Sequence, residues 1–330
     1  MGGASEVIRT ALHAFFQHYH PAASVAPLLA LPFSAAALLS RSHPALLAPF
    51  GALSARLRRV LVAAGFPPAS QLIFLLSHRL SQSAGAFLVT LPFALSFLLL
   101  AKACVARCCV APSQRLRRAQ PPAIVVVREA LQSSYPAMAR TQPVICLALL
   151  LANASVFAAV LAAFNAAEAL RLLGPCAAAT GGGARAVLAL SAAGVIVYSV
   201  ALAYAAAVCN LATVVAAAEG RGGARAVLKA ILLLLGAGDA ATAVAASLPA
   251  RLATAAVEAL FQLRVMRPYM ATGKVTAAMV CEGLLVAYIH AMVSVLDTAV
   301  TCMIYQACKA SHPCDRLEWE LEEGKEDLRD

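Results

Sequence analysis

Charge is what this chain has least of. Only 13% of its 330 residues are Asp, Glu, Lys or Arg, against 62% hydrophobic residues and a mean hydropathy of +0.79. A soluble domain needs a charged surface, so this deficit excludes one and leaves an integral membrane protein. Aromatics are scarce as well. One Trp and 7 Tyr are too few for strong aromatic belts at the membrane faces, so the depth of each span has to be read from its flanking charges. The ten cysteines contain no CxxC pair, and Cys146, Cys209, Cys281 and Cys302 lie in or at the ends of apolar runs, where cysteine acts as a small hydrophobe. That distribution argues against an extracellular disulfide scaffold. Gly181-Gly182-Gly183 has neither the GxxxxGK[ST] spacing nor a preceding strand, so it is no phosphate loop.

The charge that is present is uneven. Residues 306–330 carry 4 Lys/Arg against 8 Asp/Glu, and residues 1–305 carry 22 against 8, out of a net +10. The arginines flank apolar spans and are not interleaved with aromatics, which excludes a nucleic-acid platform and points to anionic lipid headgroups. The expected partners are the bilayer itself, those headgroups, and further membrane proteins or copies of this chain.

Apolar runs at about 22–40, 85–105, 143–165, 187–213, 227–248 and 278–304 predict six transmembrane helices in an all-α integral membrane bundle. An N-terminal amphipathic segment, 1–21, precedes a transmembrane domain at 22–305, and an acidic tail, 306–330, follows it. Basic amphipathic stretches at 53–64, 124–140 and 249–274 read as interfacial helices, the first with Arg56, Arg58 and Arg59 off its apolar face. With Arg115, Arg117 and Arg118 in the following linker, these are the candidate headgroup contacts. Six spans put both termini on one side. Fourteen lysines and arginines fall on that side and eleven on the other, which makes it the cytosolic one, in the plasma membrane or the endomembrane system.

The chemistry-bearing residues are few. In the stretch Val275 to Cys308, Glu282, His290 and Asp297 are the acid and base groups, and at about 100° per residue they share one helical face. Asp239 lies in a second apolar run, LLLLGAGDAATAV. Ionisable groups at membrane depth face the bundle interior or water, so these four form the candidate intramembrane polar site. Cys104, Cys108 and Cys109 beside Lys102 and Arg107 suit palmitoylation, with unmodified thiols as the alternative. Myristoylation is rejected because Glu6 stands where Ser or Thr is required. His13, His18 and His20 read as solvated residues at an interfacial helix end. No catalytic residue, cofactor or metal is expected, because the histidines do not recur in spaced boxes and no nucleophile sits with a base. The sequon Asn153-Ala154-Ser155 falls at membrane depth, where no glycan is added.

VCNLATVVAAAEG (208–220), residues 225–229, LDTAVTCMIYQACKASH (296–312) and VTLPFALSFLLLAKA (89–103) resemble a large plant family of multi-pass membrane proteins without assigned activity. After Glu219 this chain has Gly220-Arg221-Gly222-Gly223 where that family has an aromatic-glycine pair. The resemblance implies a membrane location and carries over no catalytic residues. The expected function is a non-enzymatic protein that binds or organises membrane components. The alternative is a small-solute or proton-coupled transporter using Asp239, Glu282, His290 and Asp297.

Overall fold

A computed structural model describes residues 9, 20–42, 55–56, 59–60, 63, 85–110, 123–169, 182–220, 222–236 and 240–311. Among them the ordered elements are all helical: α1 (His20–Ser42), α2 (Leu99–Val110), α3 (Ala123–Glu129), α4 (Tyr135–Ala169), α5 (Gly182–Glu219), α6 (Ala224–Gly236), α7 (Ala240–Phe261), α8 (Arg267–Thr272) and α9 (Ala277–Ser311). Wider π turns at Ala94–Leu98, Ala130–Ser134 and Gln262–Met266 join helical residues 85–93 to α2, α3 to α4, and α7 to α8. Five stretches are long and apolar enough to cross a membrane: Gly85–Cys109, Ile124–Val160, Ala192–Glu219, Ala241–Thr272 and Ala277–Lys309. The shorter apolar run Val25–Ser40 lies in α1, whose 23 residues reach about 34 Å at 1.5 Å each, enough for a ~30 Å hydrocarbon core. The protein is an all-α helical membrane protein.

Of the expected span 227–248, α6 is described to Gly236 and α7 from Ala240, and residues 237–239 lie outside the described ones. One departure from the expected elements has a local cause. The stretches 124–140 and 249–274 are not separate surface helices, since α3 runs through its π turn into α4 and α7 through its own into α8. Proline explains both widened turns. Tyr135 and Arg267 donate their N–H groups five residues back, to Ala130 and Gln262, and each stands directly before a proline. A proline ring clashes with the carbonyl four residues back, and a wider turn relieves that clash.

The chain divides into two compact units, one of residues 1–8, 136–247 and 301–330, the other of residues 9–135 and 248–300. In the second unit α1 packs on α2 and on the π turn before it. Its buried face is Ala26, Ala30, Ser34 and Leu38, spaced every fourth residue, and the small side chains let backbones approach closely. Leu38 joins Val257, Phe261, Met266, Val286 and Ala287 in one apolar cluster. Ser34 meets His290 while Leu38 shares its cluster with Val286 and Ala287, so α1 and α9 run antiparallel. In the first unit α5 packs on α6, and residues 211–217 of α5 are buried without interruption.

Candidate functional site

The first unit collects polar side chains where four helix segments meet. Glu219 ends α5, and Gly220 turns the chain with φ 65°, its N–H returning to the Ala216 carbonyl at 3.1 Å. Gly223 also has positive φ, 86°, and starts the turn into α6. A residue with a Cβ pays about 1–2 kcal/mol for such a conformation, which accounts for glycine at both positions. Between them, Gly222 lies so close to the Ala137 carbonyl of α4 that a Cβ there would overlap it. Thr141, one turn along α4, accepts a hydrogen bond from the Gly223 N–H at 2.9 Å and donates its own to the Ala137 carbonyl at 2.8 Å. Lys229 of α6 sits 2.8 Å from Glu219 Oε1, and the Tyr305 hydroxyl of α9 donates to that oxygen at 3.2 Å. The lysine and glutamate side chains keep 32% and 21% exposure, so the pair is shielded but not dry.

The charge pattern places this junction. Residues 141–167 and 186–218 contain no Asp, Glu, Lys or Arg, so Arg140 and Glu219 mark where α4 and α5 leave the hydrocarbon. Arg140 and Arg225 are both exposed beside it, and the half-buried Lys309 lies one turn beyond Tyr305.

The second unit holds His290, buried at 5% exposure. Its Nδ1 shares a 3.0 Å hydrogen bond with Ser34 Oγ, and its ring lies 6.5 Å from that of Phe33 at a 43° tilt. One turn on, Ser294 donates to the His290 carbonyl, and Thr298 donates to the Ser294 carbonyl. In the first unit, the Tyr198 hydroxyl of α5 donates to Asn153 Oδ1 of α4 at 2.6 Å, while Asn153 Nδ2 donates to the Leu149 carbonyl. The asparagine of the discounted sequon is thus engaged within the protein.

The four polar residues expected from the sequence have separate fates. His290 is buried, Asp297 is half-buried, and Glu282 is exposed near the start of α9, where residues 271–278 are exposed as well. Asp239 lies outside the described residues. Of the expected headgroup contacts, Arg56 and Arg59 are helical and exposed, and Arg58, Arg115, Arg117 and Arg118 fall outside the described residues, as do His13, His18 and the tail from His312. Cys104, Cys108 and Cys109 are buried on α2, which packs against α1 and the π turn of 130–134. Nearby, Arg107 Nη2 pairs with Glu129 Oε2 at 3.4 Å, an open surface pair worth at most about 1 kcal/mol.

Sequence reasoning missed the Glu219–Lys229–Tyr305 group. Its signal was the acid ten residues before a lysine that stands alone in an apolar run, a charge that needs a partner at membrane depth. Among the described residues, no group of three or more His, Cys, Asp or Glu could hold a metal ion.

No curated protein and no solved structure matches the chain. A family model matches residues 125–318, a range that contains the whole junction and the stretches 208–220, 225–229 and 296–312. That range exceeds half of the chain, which belongs to the family described as domain of unknown function (DUF8558).

Proposed function

We propose that this membrane protein is non-enzymatic and binds or organises membrane components, with both termini in the cytosol of a plant cell. The observation that carries the reading is the use made of its polar side chains. His290 with Ser34, Tyr198 with Asn153, and Glu219 with Lys229 and Tyr305 each join one helix to another. Such bonds contribute about 1 kcal/mol each between membrane helices and specify which helix packs where. The large apolar residues left exposed on α4 and α5, among them Leu147, Leu150, Val195 and Ile196, suit acyl chains. The cytosolic placement is supported by the charge at the junction, where Arg140, Arg225 and Lys309 stand near the ends of the α4, α6 and α9 apolar runs. The plasma membrane and the endomembrane system both fit this topology.

A proton-coupled transporter is the second reading, favoured by His290 being buried two turns from the half-buried Asp297 on the same helix. Purified full-length protein in liposomes carrying a pH-sensitive dye decides between them. Under an imposed proton gradient or membrane potential, the organising reading expects dye traces indistinguishable from empty liposomes. A flux that His290→Ala or Asp297→Asn abolishes, in variants of wild-type thermal stability, establishes the transporter and overturns the first reading.

A further inference from the structure

We propose that Arg140 and Arg225 bind the phosphate of an anionic lipid headgroup at the junction of α4, α5 and α6. The two arginines lie one residue before Thr141 and two residues after Gly223, whose N–H bonds Thr141 Oγ1, so the turn that locks α6 to α4 places both at this junction. Both are exposed. The acid of the same junction, Glu219, is engaged by Lys229 and Tyr305, which leaves an excess of positive charge at this rim. Guanidinium groups grip phosphate oxygens through paired, charge-assisted hydrogen bonds, a geometry an ammonium lacks.

A second feature selects a lipid over free phosphate. Along α6, Arg225 heads a stripe of Leu228, Leu232 and Leu235, exposed by 58%, 56% and 69%. These residues fall within about 80° of one another around the helix. Along α4, Arg140 heads a similar stripe with Leu147 and Leu151, exposed by 58% and 61%, at steps of seven and eleven residues that return to nearly the same angle. Each helix therefore presents an exposed arginine with exposed leucines further along the same face, which is the order of phosphate and acyl chain in a bilayer leaflet.

The inference deepens the membrane-binding reading, and its failure is read by lipid affinity while the failure of that reading is read by flux. The full-length protein in neutral detergent micelles is titrated with dioleoyl phosphatidic acid, dioleoyl phosphatidylcholine or inorganic phosphate, and binding is followed by thermal shift and by lipid retained per protein after gel filtration. Wild type is expected to prefer phosphatidic acid over phosphatidylcholine by about tenfold or more, with inorganic phosphate failing to reproduce the stabilisation. Arg140→Gln and Arg225→Gln should each weaken phosphatidic acid binding several-fold, and the pair should abolish the preference. Arg251→Gln with Arg264→Gln, two exposed arginines of the other unit, should leave it within twofold. Should the paired variant fail to fold, Arg225→Lys tests the same point, because it keeps the charge and still loses affinity if the paired grip matters. Equal affinity of wild type and the Arg140/Arg225 variants for phosphatidic acid overturns the proposal. So does stabilisation by inorganic phosphate equal to that by the lipid, which assigns the rim to a free anion.

Discussion

Gly222 is the residue on which the junction turns. A methyl group there meets the Ala137 carbonyl, and backbone cannot swing aside as a long side chain can. Gly222→Ala is therefore expected to lower stability by about 1–3 kcal/mol, the usual cost of overpacking, measured by unfolding in mixed micelles of SDS and neutral detergent. Gly220→Ala has open space around it and meets only the cost of its positive φ, about 1–2 kcal/mol, so a Gly222 variant more stable than the Gly220 variant contradicts the close approach. The ion pair beside it calls for a double-mutant cycle. Lys229→Met or Glu219→Gln alone leaves a partly shielded charge with its neighbour lost, for an expected cost of about 1–2 kcal/mol, whereas the double variant should recover most of it. Purely additive losses in the same unfolding assay count against a coupled pair. These residues show why sequence reading missed one polar group. The face shared by Glu282, His290 and Asp297 is a true helical periodicity, yet burial along α9 is set by what packs beside each turn, and the start of α9 is exposed. Glu219, Lys229 and Tyr305 are spread over more than eighty residues, and only the fold brings the lysine and the tyrosine to one carboxylate.

Elements were legible to the extent that charge and hydrophobicity change along the chain. The spans at 85–105, 143–165 and 278–304 have counterparts in the apolar helical stretches Gly85–Cys109, Ile124–Val160 and Ala277–Lys309, because long runs of Leu, Val and Ala between charged flanks admit one reading. The π turns were invisible to periodicity, which assumes 3.6 residues per turn throughout. Their link to proline gives an element-scale test. In Pro136→Ala the N–H returns and the clash with the carbonyl of Gln132 goes, so the turn 130–134 is free to tighten to α-helical bonding. Hydrogen–deuterium exchange over residues 130–137 should slow by about tenfold, in keeping with one added backbone hydrogen bond of about 1 kcal/mol. Exchange that stays at the wild-type rate assigns the π turn to other contacts, such as the bond the Tyr135 hydroxyl donates to the Leu95 carbonyl at 3.0 Å.

At the scale of the whole molecule, the proposed sidedness rests on charge, and packing constrains only which helix ends share a face. The positive-inside count favours cytosolic termini by fourteen against eleven, a margin that two or three residues would erase. Packing adds a constraint that counting lacks. Tyr305 of α9 reaches Glu219 at the end of α5, and Thr141 near the start of the α4 crossing reaches Gly223, so these three helix ends share one membrane face however α6 and α7 are arranged. In the other unit, α1 and α9 run antiparallel. Moving any one of these ends to the opposite face breaks a hydrogen bond seen in the fold, whereas moving a loop arginine only alters a sum. The expected outcome is that glycan acceptor sites inserted at 112–120 and at 312–320 stay unmodified, while sites inserted at 44–50 and 174–180 are glycosylated. A glycan at 112–120 with none at 174–180 inverts the protein. Glycans at 112–120 and 174–180 together separate the ends that Thr141 and Gly223 join, and so refute the junction itself. The same experiment therefore tests orientation through the pattern's sign and the fold through its alternation.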